Sequence, residues 1–348
     1  MITYENITLV PRKISTVKSR ATDVNTSVSV FNTDLVYPLV TAPMPDVCNG
    51  EMARKIAVLG GLALIHRFQS IEEQVNQYTT VALGRRTTSW LADFSPDAIN
   101  RIGCAIGVNG DYFERYEKLY GEGCRIFCID TANGANTRVG DVVKVMRKYK
   151  DVFIIAGNVA TQEGYEYLAE LGVHAVRVGI AGGSVCETRT ETGVHVPTLQ
   201  SVKEISDWRD NANSYTGHNT EIVDGFPLII ADGGIKTPAD AHKAIALGAD
   251  MVMVGSIIAG TRQSPGDVIG PLDGRLYKKY RGAASFGVQR DVSGKTPKYV
   301  EGRESLVPYK GDVELVFSRF KGGFESCMSY FDATTVDEFK RNVTVESL

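Results

Sequence analysis

The sequence lacks a surplus of charge of either sign: 38 lysines and arginines stand against 41 aspartates and glutamates, a formal net charge of −3. Without a basic footprint, nucleic acid is not an expected partner, and any phosphate has to be held by local geometry. No run approaches the roughly 18 uninterrupted apolar residues of a membrane span, and the polar opening MITYENITLV is unlike a signal peptide. The expectation is a cytoplasmic protein with no membrane partner. The six cysteines, at 48, 104, 124, 128, 186 and 327, contain no C-x-x-C pair and no metal-like Cys/His grouping, which argues against a disulfide framework or a zinc module. Cys104, Cys124 and Cys128 lie in or beside apolar runs, where a small buried thiol is expected. No G-x-G-x-x-G stands between a first strand and its helix, so the fingerprint of a dinucleotide-binding open sheet is missing.

What is present is a chain of 348 residues, 43% hydrophobic, enough to bury a full core. Eight short apolar or β-branched runs recur: YPLVTA ending at Ala42, GLALI at Ile65, CAIGV at Val108, RIFCI at Ile129, VFIIA at Ala156, HAVRV at Val178, PLIIA at Ala231 and MVMV at Val254. Continuous apolar runs suit strands buried on both faces, as parallel strands are. Helical spacing follows several of them, and the stretches TQEGYEYLAELG and TPADAHKAIALG end at Gly172 and Gly248, where a helix terminator would lie. Many strand-to-strand steps are about 21 to 27 residues, the length of one strand, one helix and two short loops. A single (β/α)8 TIM barrel over residues 1–348 is therefore expected, with a doubly wound open sheet as the alternative.

In such a barrel the residues just after each strand converge on one face. Here they are Met44 to Asp46, His66 and Arg67, Asn109, Asp130, Asn158, the loop Gly179 to Cys186, Asp232 with Gly233 and Gly234, and Gly255 with Ser256. Cys186 sits in a glycine-rich loop, about 179–196, where backbone groups can approach a ligand. It is either a nucleophile activated as thiolate or a small residue filling a turn. Ser184, Gly233, Gly234, Gly255 and Ser256 read as a phosphate cradle, since loops after strands seven and eight recurrently bind phosphate; tight turns are the plainer reading of the glycine pairs. Asp232 would repel phosphate and suits ribose hydroxyls. Together these suggest a nucleoside monophosphate. After strand eight, about ninety residues remain, and 280–310 reads as a mobile covering flap.

GIAGGSVCETRTETGVHVP resembles the catalytic cysteine loop of the IMP dehydrogenase and GMP reductase family, and IIADGGIKTPADAHKAIALGADMVMVGSIIAGT resembles its phosphate segment. TAPM, IHRFQSIEEQ, CIDTANG, IIAGNVAT and EG followed by VPYKGDVE extend the resemblance over nearly the whole chain. It implies that Cys186 attacks C2 of a purine nucleotide to give a thioimidate, while a nicotinamide cofactor, NADPH or NAD, exchanges hydride with that carbon. A reductase expels ammonia from GMP and yields IMP; a dehydrogenase oxidises IMP and hydrolyses the adduct to XMP. By the same resemblance Thr188 and Glu301 form a proton relay and Arg67 joins the catalytic set. Arg281, Gly282, Ala283 and Gly302 would contact the nucleotide, and Asp130, Thr131 and Asn158 the cofactor. Carbonyls of Gly179, Gly183 and Cys186 would hold K+, and the assembly would be a homotetramer.

The short interval between strands two and three leaves no room for the regulatory modules most dehydrogenases insert there. With PRKISTVKSR, the short flap and GDVE…GGFESCMSYFDA, this resembles GMP reductase, whereas RGAASFG and GSIIAGT resemble the dehydrogenase. The reductase is the favoured reading. Departures cluster around the base: Pro45-Asp46 for Asp-Thr, Ala181-Gly182 for Gly-Pro, Glu187 for threonine, Ala283 for methionine and Lys298 for arginine, the last not a conservative exchange. The base is thus guanine, hypoxanthine or a modified purine. A non-catalytic nucleotide-binding barrel and a phosphate-binding isomerase or synthase barrel remain as alternatives from other classes.

Overall fold

A computed structural model describes residues 1–11, 14–82, 96–214 and 225–348; Arg12 and Lys13 of the PRKISTVKSR motif lie outside them. All eight apolar runs form strands: β1 Leu39–Thr41, β2 Ala63–Ile65, β3 Ile102–Ile106, β4 Ile126–Asp130, β5 Phe153–Val159, β6 Ala175–Val178, β7 Leu228–Asp232 and β8 Met251–Val254. They pair in parallel, each with its sequence neighbour, and β8 returns to β1 with Val252 opposite Leu39. A parallel bridge from Val40 to Leu62 closes the ring between β1 and β2. The architecture is a (β/α)8 barrel, and its strands are almost wholly buried because helices cover their outer faces.

The helices begin and end where local chemistry dictates. Helix Pro238–Ala246 opens with Thr237 as N-cap, a capping box with Asp240, and proline in the first turn. Gly248 follows it at φ 105°, and a Cβ there would lie 1.9 Å from Ser206 Oγ, so both conformation and space demand glycine. The final long helix, Val313–Tyr330, buries Val313, Phe317, Phe320, Phe324 and Met328. This i, i+4, i+7 stripe docks on Tyr37, whose ring meets Phe317, Phe320 and Phe324 edge-on at 5.8–6.4 Å.

The flap contains more regular structure than the loop expected from its composition. It is built: Ile269–Leu272, Arg275–Arg281 and Glu304–Pro308 form an antiparallel three-stranded sheet, with helix Phe286–Ser293 between the last two strands. The charged strand RLYKKYR hides its periodicity because Lys278 and Tyr280 alone are buried there, and Lys278 satisfies its ammonium on the carbonyls of Arg262 and Ser264. Among the described residues, no helix is long and apolar enough to cross a membrane.

Burial has a measurable cost in acid. His242 packs on the ring of Phe324 at 5.1 Å, and its Nε2 finds no partner among the described residues. Burial, chiefly, lowers its pKa to about 4, and burial does the same to His66. Above pH ~6.5 each is neutral in both folded and unfolded chains. As pH falls below that, the unfolded chain takes up protons that the folded one refuses, so stability declines towards pH 4. Each histidine is expected to cost about 2 kcal/mol at pH 5 relative to pH 7.5. Urea melts at the two pH values check this: His242→Leu should remove roughly half of the histidine-linked loss, and an unchanged loss would refute it.

Candidate active site

The C-terminal ends of the strands open into two chambers that share walls. The first, about 720 Å3, is lined by Ser184, Gly233, Gly234, Gly255 and Ser256 together with Tyr4 and Tyr280. The second, about 290 Å3, is lined by Cys186, Thr188, Glu301, Arg67, Asp130, Thr131 and Asn158, with Gly282, Ala283 and Gly302 along one side. Asp232 and Gly183 belong to both. The expected phosphate cradle and the expected nucleophile are therefore neighbours.

Cys186 is only half-buried, whereas Cys48, Cys104, Cys124 and Cys128 are fully enclosed. Burial pushes the thiols of Cys48 and Cys128 up to about 12, which keeps them protonated and inert. Cys186 Sγ donates to Thr188 Oγ1 at 3.3 Å, and Thr188 Oγ1 donates to Glu301 Oε2 at 2.9 Å. A continuous path thus links the thiol to a carboxylate 113 positions beyond the threonine. The flap makes it possible by docking on the cysteine loop through backbone bonds: Glu187 N–H to Glu301 C=O at 2.8 Å and Arg303 N–H to Val185 C=O at 3.0 Å. Gly282 is needed for that approach, since a Cβ would lie 2.8 Å from the carbonyl oxygen of Val185.

Beneath the chambers lies a buried charge network. Arg177 on β6 donates to Asp130 Oδ1 at 2.6 Å and, through Nη2 and Nε, to Asp232 Oδ2 at 2.8 and 3.1 Å. Asn158 Nδ2 adds a bond to the same Asp232 oxygen at 2.7 Å, and Arg67 Nε holds Asp130 Oδ2 at 3.2 Å. For Asp130, burial opposes ionisation, but Arg177 and Arg67 outweigh it and hold the carboxyl below its ordinary value. The bonds to Asp232 converge on Oδ2, which leaves Oδ1 to accept from a ligand hydroxyl.

A family signature described as "IMP dehydrogenase / GMP reductase domain" matches residues 1–348. The chain belongs to the IMP dehydrogenase / GMP reductase family. It is 33% identical to the inosine-5'-monophosphate dehydrogenase of Cryptosporidium parvum, over 99% of this chain and 92% of that protein. It is 32% identical to GMP reductase 2 of Bos taurus, over 98% and 92%, and 30% identical to the inosine-5'-monophosphate dehydrogenase of Borreliella burgdorferi, over 98% and 92%. The family is one of oxidoreductases.

Of the residues expected to contact the nucleotide, Arg281 lines neither chamber, and of the strand-end residues neither do Asp46, His66 and Asn109. The Arg281 guanidinium grips Asp46 with two bonds, at 2.8 and 2.9 Å, and reaches Asp291 at 2.8 Å. The departure at Pro45-Asp46 thus has a partner in the flap. Lys298 is exposed and away from both chambers. The neighbour Tyr280, unmarked by sequence, is the one that turns inward: its hydroxyl lies 3.8 Å from Met44 Sδ and closes over Gly255. Arg177 was also missed, although an arginine inside HAVRV was a signal, because a charge in a strand buried on both faces requires a partner. In the expected potassium set, two of the carbonyls carry bonds of their own. Gly179 C=O already accepts from Asn158 and Gly183 C=O from Cys186 N–H, and Ala181 occupies a left-handed φ of 61° where family members carry glycine.

Proposed function

We propose that the chain reduces GMP: GMP + NADPH + H+ gives IMP + NH3 + NADP+. The observation that carries this reading is the Cys186–Thr188–Glu301 path in the wall of the second chamber. In it, Cys186 Sγ bonds to purine C2, and the thiol proton, relayed through Thr188 and Glu301, departs with the amine as ammonia. The resulting thioimidate keeps the nucleotide in place, with Asp232 Oδ1 on the ribose and Ser184, Gly234, Gly255 and Ser256 on the phosphate. A bound nicotinamide nucleotide would supply the hydride to C2, held on the side of the second chamber formed by Arg67, Phe68, Asp130, Thr131 and Asn158. That side carries Phe68, whose ring is stacked under the Arg67 guanidinium 4.5 Å from its centroid. Breakage of the C–S bond with uptake of one proton restores the thiol.

The direction is argued from PRKISTVKSR, the short flap and GDVE…GGFESCMSYFDA, which resemble GMP reductase. The second reading, oxidation of IMP by NAD and water to XMP, is favoured by RGAASFG and GSIIAGT. Incubation with GMP plus NADPH, and separately with IMP plus NAD, separates the two. Ammonia release with loss of nicotinamide absorbance means reductase; XMP with a gain in absorbance means dehydrogenase. Silence in both, with tight nucleotide binding, means a binding barrel. A cytoplasmic homotetramer belongs to the same reading, and light scattering on the purified protein tests the assembly.

A further inference from the structure

Arg177 is only 7% exposed, and nothing in the proposed chemistry uses it directly. Its position is unusual in what it joins. Asp232, at the end of β7, is a wall of both chambers, and Asp130, at the end of β4, is a wall of the second alone. One planar guanidinium bonds both, and beyond Asp130 stands Arg67, bonded through Nε while neither Nη makes a bond among the described residues. The network therefore ends in open groups on both sides: Asp232 Oδ1 and the Arg67 Nη atoms. The surroundings leave room for it. A Cβ at Gly157 would lie 2.7 Å from Arg177 Cβ, so the strand beside it carries glycine where the arginine passes.

We infer that Arg177 is a positioning residue that couples the nucleotide and cofactor sites, by fixing Asp232 and the Asp130–Arg67 pair with one rigid fork. This rests on the proposed assignment of the two chambers. A guanidinium presents its donors in a fixed plane, so an adjustment of Asp232 towards a ribose tilts the group that holds Asp130. A lysine ammonium is a point charge on a flexible stem and cannot hold both carboxylates in one geometry. Asp130 also leans on Arg177 for its charge, since burial penalises the carboxylate without a partner.

The test is calorimetric binding of GMP and NADP+, singly and together, a pair with no hydride to exchange because GMP carries no hydrogen at C2. In the unsubstituted protein GMP is expected to change NADP+ affinity by about tenfold, and reciprocally. Arg177→Lys should bring that factor to within about twofold of one, with the melting transition retained. Should that variant fail to fold, Asp130→Asn cuts the link at its other end and should abolish coupling while GMP affinity alone is kept. Asn158→Ala removes a bond to the same Asp232 oxygen without touching Asp130, and should weaken GMP and NADP+ binding each on its own while the coupling factor persists. A purely structural Arg177 would lower both affinities and leave the factor unchanged. That result, or no coupling in the unsubstituted protein, overturns the inference. If neither GMP nor IMP binds the unsubstituted protein, the functional reading fails and the inference falls with it.

Discussion

Cys186→Ala is expected to lower turnover of GMP with NADPH by at least about a thousandfold while nucleotide affinity stays within about threefold, because the variant deletes the thiol that forms the C2 bond in the proposed mechanism. The substitution should fold normally. Cys186 is half-buried in a loop, and the contacts that dock the flap there are made by the backbones of Val185, Glu187, Glu301 and Arg303. Steady-state kinetics and calorimetry with GMP check the two halves of the prediction, and intact mass during turnover checks a third: an adduct of one nucleotide on the unsubstituted protein, none on the variant. Normal turnover by Cys186→Ala would remove the covalent mechanism altogether. Loss of binding in parallel with loss of turnover would instead make the cysteine a wall of the pocket.

Glu301→Gln is expected to reduce kcat by about a hundredfold to a thousandfold with little change in KM, the usual scale for a lost general acid or base. The amide can keep the 2.9 Å bond to Thr188 but cannot pass a proton. Thr188→Val interrupts the same path one residue earlier and should cost a similar factor. Because the two act as one unit, the double variant should be scarcely slower than either single one. Multiplied losses would mean that threonine and glutamate serve separate steps. Thr188→Ser, which restores the hydroxyl, should recover most of the activity.

These effects depend on a contact that pattern reading reached only through resemblance. By spacing alone Glu301 is one carboxylate in a charged flap, and the flap itself read as a loop. The structure instead gives the flap a three-stranded sheet whose edge lies against the cysteine loop, through the bridge between Cys186 and Gly302. Charged side chains such as Arg275 and Lys279 point to solvent along those strands, so composition masks a period that the buried Lys278 and Tyr280 reveal. The parity of that strand also decided which of two adjacent residues serves the site: Tyr280 turns inward, and Arg281 turns out to Asp46 and Asp291.

The eight strands, their order and the face on which Cys186, Asp232 and the glycine pairs gather were legible in the chain itself. A strand covered on both sides needs an uninterrupted apolar run, and helix caps such as Thr237 and glycines such as Gly248 satisfy requirements set by their immediate neighbours. Local chemistry repeats along a sequence and can be counted there. Which charges meet when the ring closes is another matter. Arg177 finds Asp130 and Asp232 from strands 47 and 55 positions away, and Thr188 finds Glu301 from 113. Those partners were decided by barrel closure and flap docking, because a hydrogen bond depends on distances in space that no spacing along the chain records.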